Sequence, residues 1–213
     1  MPDSREAILA RIRSAVSAER RGNLVAERAA IPRDYRRAGP LDPEARLHLL
    51  IDRLRDYDAN VVETSAASIP QAISQVLAQH QQRKVIVADG LPPELLPQDF
   101  RFLPERNADV QDLNDCDGIV TICTVAIAST GTIVLTHSPG EGARRLTLLP
   151  DRHLCIVHAG QVVETVPEAF DRLAAFARHP LTFISGPSAT ADIEMTRIRG
   201  VHGPRFLDVV LAR

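Results

Sequence analysis

Residues 59–89 read "ANVVETSAASIPQAISQVLAQHQQRKVIVAD", and the order of apolar patterns within them decides the fold. "ANVVET" (59–64) is a short run with the composition of a strand. "SIPQAISQVLAQHQQ" (68–82) then repeats its apolar residues at helical spacing, and "KVIVAD" (84–89) is a continuous apolar run that ends at Asp89-Gly90, where a turn is expected. Strand, amphipathic helix and buried strand in that order make a β-α-β unit, the signature of a parallel sheet.

Upstream, "PEARLHLLIDRLRDY" (43–57) places Leu47, Leu50, Ile51 and Leu54 on one helical face, with Pro43 suited to the first turn. Downstream, apolar runs crowd together: "GIVTI" (118–122), "GTIVLT" (131–136), "HLCIVH" (153–158), "LTFIS" (181–185) and "FLDVVLA" (206–212). One long helical pattern, "VPEAFDRLAAFARH" (166–179), separates them, so hairpins are expected beside the crossovers. The sequence therefore predicts an α/β fold with a mixed, mainly parallel open sheet and flanking helices. Nine of the eleven glycines lie from Gly90 onward. Loops of this half are where backbone turns sharply or comes close to a ligand.

Residues 1–42 differ from the rest. Ile8, Leu9, Ile12 and Val16 form a short helical stripe, after which "RRGNLVAERAAIPRDYRRAGPLDP" loses periodicity. The expectation is a helix and an extended arm over 1–42, then one α/β domain over 43–213. The chain of 213 residues is long enough for one substantial core. Its 25 basic and 27 acidic side chains leave a formal charge of −2, which argues against nucleic acid as a partner. No apolar run reaches the roughly 18 residues of a membrane span, and no signal-peptide pattern opens the chain, so a cytoplasmic location is expected. Cys116, Cys123 and Cys155 are odd in number and widely spaced, which fits neither a disulfide framework nor a metal or iron-sulfur site on this chain.

Three loops carry polar groups that could converge. Ser129, Thr130 and Thr132 surround Gly131, where hydroxyls and backbone N–H groups can meet a carboxylate or phosphate; the same residues also suit a tight hairpin with glycine at positive φ. Arg144 follows, a natural partner for such an anion. In "LTFISGPSATADIEMTRI", Gly186, Pro187 and Ser188 lead from a strand into an expected helix whose N-terminus would attract anions outside the carboxyl ends of the strands, with Asp192 and Glu194 on that helix. Asp192 and Glu194 are two residues apart and cannot share a helix face. His202, beside Gly203 on a tight loop, either contacts a ligand or holds the turn. His153 and Cys155 would share one face of their strand and His158 the other, with no third metal ligand evident.

With those loops identified, three segments, "AIASTGTIVL" (126–135), "LLPDRHLCIV" (148–157) and "ISGPSATADIEMTRIRGVHGP" (184–204), resemble the lactate-utilisation (LUD) domain family, in particular its stand-alone C-type subunit. The resemblance covers about residues 85–213. A Glu is usual in that family where this chain has Ser129, so a mechanism resting on a carboxylate there has no support. The resemblance implies a fold like that of the NagB/RpiA/CoA-transferase superfamily. It also implies a role in oxidising L-lactate to pyruvate beside iron-sulfur partner proteins, with no cofactor on this chain. Two functions are expected from it: an accessory, cluster-free subunit with a pocket for a small anion, or an independent enzyme of the CoA-transferase or sugar-phosphate-isomerase type using Asp192, Glu194 or His202.

Overall fold

The computed structural model describes residues 3–16, 18–190, 198–199 and 202–213, and of residues 18–23, 189–190 and 198–199 it describes the backbone alone. The chain divides into two compact units, residues 1–36 and 37–213. In the first, α1 (Ser4–Ala15) is capped by the Asp3 carboxylate, which accepts from the Arg5 N–H, and α2 (Ala18–Ala30) follows. The sequence places the chain after residue 20 in an arm, but α2 continues to Ala30; the segment is rich in Ala, Arg and Glu, and such residues favour helix. The stripe of α1 buries nothing, and Ile8 and Ile12 are exposed.

The second unit opens with α3 (Pro43–Asp56), where the Asp42 carboxylate accepts from the Ala45 N–H at 2.8 Å and Pro43 takes the first turn. There follow β1 (Asn60–Thr64), α4 (Ile69–Gln79), β2 (Val85–Val87), β3 (Leu103–Pro104), α5 (Val110–Asp115) and β4 (Gly118–Ile122). Next come β5 (Val125–Ile127), β6 (Thr132–Leu135), β7 (Arg152–His158), β8 (Val162–Val163), α6 (Val166–Leu173) and β9 (Thr182–Ile184). Then β10 (Ala189–Thr190), β11 (Ile198–Arg199) and β12 (Phe206–Ala212) end the order.

The main sheet has the order β1-β12-β7-β4-β2-β3, and every neighbouring pair in it is parallel. A second sheet, β8-β5-β6-β9, contains the expected hairpin: β6 is antiparallel to both β5 and β9. The mixed, mainly parallel sheet is thus two sheets. Helix α4 covers one face of the parallel sheet with Ile69, Ile73, Val76 and Leu77, against Val85, Val120, Ile156 and Val210. On the other face, Leu50, Ile51 and Leu54 of α3 and Ile133 and Leu135 of the small sheet meet Cys155, Val157, Val209 and Leu211. Outside the small sheet, Ala169 and Leu173 of α6 close a further layer over Val125, Ile127 and Val134. Alternation along β7 follows the strand period, with Leu154 and Ile156 in one core and Cys155 and Val157 in the other.

A carboxylate sits inside this apolar architecture. Asp208 of β12 is fully buried; its Oδ2 accepts from Arg152 Nη1 of β7 at 2.7 Å and its Oδ1 from Asn60 Nδ2 of β1 at 2.9 Å. His80 Nε2 lies 3.7 Å away, beyond hydrogen-bond length. The Arg152 guanidinium also rests 4.5 Å from the Phe206 ring centroid. Breaking such a pair from one side leaves a buried charge, which costs more than the pair contributes. Arg152→Met is expected to lower the unfolding free energy by about 3 kcal/mol, and the double variant Arg152→Met/Asp208→Asn by less. Urea unfolding of both variants and the wild type checks this ranking; a double variant less stable than the single one contradicts it.

Candidate functional site

Strand β9 delivers the chain into Ser185–Ser188, a segment with no freedom to carry a side chain at its turn. Gly186 has φ of +84°, and a Cβ there would stand 2.5 Å from Cβ of Tyr57. Ser188 then clasps a second loop in both directions. Its N–H donates to the Pro204 carbonyl at 2.8 Å, and its Oγ accepts from the His202 N–H at 3.1 Å. Beyond it, β10 pairs antiparallel with β11, Ala189 opposite Arg199 and Thr190 opposite Ile198.

That pairing corrects the expected helix from Ser188. Ser188 does not cap a helix, because its hydroxyl and N–H are engaged by the 202–204 loop and the next two residues run as strand. The Ser188 N–H donates to the 202–204 loop instead of facing an anion. Asp192 and Glu194 lie outside the described residues.

Between these loops and the parallel sheet is a cleft of about 240 Å³. Its walls are Ser185–Ser188 and His202–Pro204, its far side Arg144 and Thr147, and its base His153 and Leu207. His153 and Leu207 stand near the starts of β7 and β12, so the cleft opens at the amino ends of the strands, not outside their carboxyl ends as expected. Among its described lining residues there is no carboxylate, and Arg144 carries the one permanent charge. Arg144 is held in place by its Nη1 donating to Thr147 Oγ1 at 2.9 Å, while that hydroxyl donates to the Arg144 carbonyl at 3.0 Å.

His153 is 1 % exposed, and its Nε2 lies 2.8 Å from Thr121 Oγ1. Burial pushes its pKa down to about 4, so the ring stays neutral near pH 7. It was not among the site residues expected from the sequence. The signal was present in the strand alternation, which puts His153 on the inward face beside Cys155, where a neutral ring must be either bonded or directed into a cavity.

The candidate residues separate into two groups. Arg144, Gly186, Pro187, Ser188, His202 and Gly203 line the cleft. Ser129, Thr130, Gly131 and Thr132 do not; they form the turn between β5 and β6, with Gly131 at φ of +59° and its Cα side against Arg53. Thr132 reaches the cleft wall indirectly, its Oγ1 lying 2.8 Å from Ser185 Oγ.

A larger groove flanks the other side of Arg144, where Asp89, Glu105, Arg106 and His137 are found. Several of its polar groups are partnered: Arg106 pairs with Asp89 at 3.1 Å, Glu105 accepts from the Ala143 N–H at 3.0 Å, and His137 bonds Gly142 O and Thr182 Oγ1. Among the described residues no group of three or more His, Cys, Asp or Glu could hold a metal ion. The three thiols are buried, and burial pushes that of Cys116 up to about 11. No described helix is long and apolar enough to cross a membrane.

Comparison with known proteins places these features among relatives. The family model of the LUD domain matches residues 56–212. Lactate utilization protein C of Deinococcus radiodurans is 43% identical over 175 residues, covering 81% of this chain and 82% of that one. The protein of the same name from Halalkalibacterium halodurans is 29% identical over 173 residues, 74% of this chain and 75% of that one. Among solved structures, a DUF162 family protein from Deinococcus radiodurans superposes with a TM-score of 0.71 at 37% identity, over 82% of this chain and all of that one.

Burial of His153 links the base of the cleft to stability. In the unfolded chain the ring takes up a proton near its ordinary value of 6.5, and in the folded chain only near 4. Between those values the unfolded state binds more protons, so stability falls as pH drops from about 6.5 to about 4, by up to roughly 3 kcal/mol. Urea unfolding at pH 7 and pH 4.5 is expected to show a larger loss for wild type than for His153→Gln. Equal losses would remove His153 as the cause.

Proposed function

Because the chain belongs to the LUD domain family, we propose that it serves lactate utilisation as a cluster-free subunit, holding a small carboxylate such as L-lactate or pyruvate in the cleft beside Arg144. The observation that carries this reading is the charge of the cleft: a guanidinium and no carboxylate among its described lining residues. Its volume of about 240 Å³ suits a metabolite of a few heavy atoms better than a large cofactor. The relatives named for lactate utilisation supply the substrate class.

Oxidation of L-lactate to pyruvate releases two electrons and two protons. The cysteines of this chain are buried in apolar cores: Cys116 lies near Ile86 and Leu113, and Cys123 and Cys155 lie beneath α3. In this reading, as the resemblance to the LUD family implies, electron acceptance falls to iron-sulfur partner proteins and this subunit binds and orients the carboxylate.

Isothermal titration of the isolated protein is expected to detect L-lactate and pyruvate, with Arg144→Ala weakening both about tenfold to hundredfold, the range of a charge-assisted hydrogen bond. The isolated chain is expected not to oxidise L-lactate with an artificial electron acceptor. Turnover by the isolated chain defeats the subunit assignment, and unchanged affinity in Arg144→Ala defeats the assignment of the cleft.

A further inference from the structure

The base of the cleft holds a polar group that the packing of the protein does not explain. His153 is almost wholly buried, lines the cleft, and has Nε2 engaged by Thr121. The direction of that hydrogen bond follows from Thr121. Its side chain is fully buried, so its hydroxyl proton requires an acceptor, and His153 Nε2 is the acceptor in reach among the described residues. Thr121 therefore donates to Nε2. A neutral imidazole with Nε2 accepting carries its proton on Nδ1. That Nδ1–H has no partner among the described residues and is the ring donor left for an occupant of the cleft.

We infer that His153 is a specificity-determining residue of the cleft, its Nδ1–H donating to the 2-oxygen of a 2-oxo or 2-hydroxy carboxylate whose carboxylate group is held by Arg144. The inference rests on the reading of the cleft as a carboxylate site and narrows it to one substrate class. A carboxylate without a 2-oxygen would leave the buried donor unpaired, and a site built around a buried donor rejects the ligand that lacks its acceptor. Ring neutrality matters as well. An imidazolium here would compete with Arg144 for the carboxylate, whereas a neutral donor has no such claim and suits an uncharged carbonyl or hydroxyl oxygen.

The test compares pyruvate, L-lactate and propionate, the last matching them in size and charge but lacking the 2-oxygen. In the wild type, propionate is expected to bind about tenfold or more weakly than pyruvate or L-lactate. His153→Phe is expected to abolish that preference, so that pyruvate and L-lactate bind no better than propionate, and His153→Gln, which keeps an N–H donor, to restore part of it. Nitrogen-15 NMR of the wild-type imidazole is expected to find the proton on Nδ1 and a shift of that nitrogen on adding pyruvate; this measurement stands even if His153→Phe does not fold. Equal binding of all three acids, with Arg144→Ala weakening all of them, overturns the inference and leaves the carboxylate reading intact. So does a proton found on Nε2. Failure of all three acids to bind overturns both.

Discussion

A carboxylate sealed from water within a six-stranded sheet, on the strand next to the β1 edge, is tolerable only because Arg152 and Asn60 meet Asp208 from the strands on either side. Three strands are pinned at their amino ends by this contact, and their register with it: Asn60 lies opposite Asp208, and Arg152 opposite Phe206. A slip of one residue would turn Asp208 from its partners toward the other face. The cleft inherits this precision. His153 follows Arg152 directly, Leu207 precedes Asp208, and the Gly203–Pro204 loop feeds the start of β12. What holds the sheet in register also sets the distance between the base of the cleft and its wall.

The carboxyl ends of β2 and β4 are occupied by protein. The loop after β6 folds over them: Gly140 N–H donates to the Asp89 carbonyl, and the Ile122 N–H to that of Gly140. Beneath it, the buried Glu141 accepts from the Thr136 N–H and from the hydroxyls of Thr124 and Thr136. A Cβ at Gly140 would come within 2.7 Å of Ile122. Glycines here permit tight backbone packing, and the same segment ends by presenting Arg144 to the opposite side. A cleft at the amino ends of parallel strands is thus the complement of a loop that covers the opposite ends of β2 and β4.

Much of this was legible in the residues. Leu47, Leu50, Ile51 and Leu54 announced α3 by spacing, and the apolar runs of β4, β7 and β12 announced a sheet buried on both faces. Three features were not. The helix α2 carries only two large apolar residues, Leu24 and Val25, so periodicity passed over it. The split into two sheets depends on which strand edges meet, and edges leave no mark in a single strand's pattern. Residues 188–190 open a stretch whose composition is at home in a helix, yet the hydrogen bonds of Ser188 to residues fourteen and sixteen positions later set it against a distant loop, and contacts of that range are invisible to a local reading. For the site, Arg144, Ser188 and His202 stood out because charge and glycine-bounded loops flag themselves. His153 did not, because inside a strand it looks like any other core position until a cavity is found beside it.

The order of the strands along the chain has a consequence for how the protein comes into being. Asp208 and Asn60 are separated by 148 residues, and β12 must enter between β1 and β7 after both have been synthesised. Until then those two strands have unsatisfied edges facing each other across a gap, the kind of exposed template that draws in foreign strands. A ribosome-bound chain lacking β12 has neither a continuous sheet nor the base of the cleft. The cleft is not assembled in instalments: its base is completed in one step, with the insertion of a seven-residue strand.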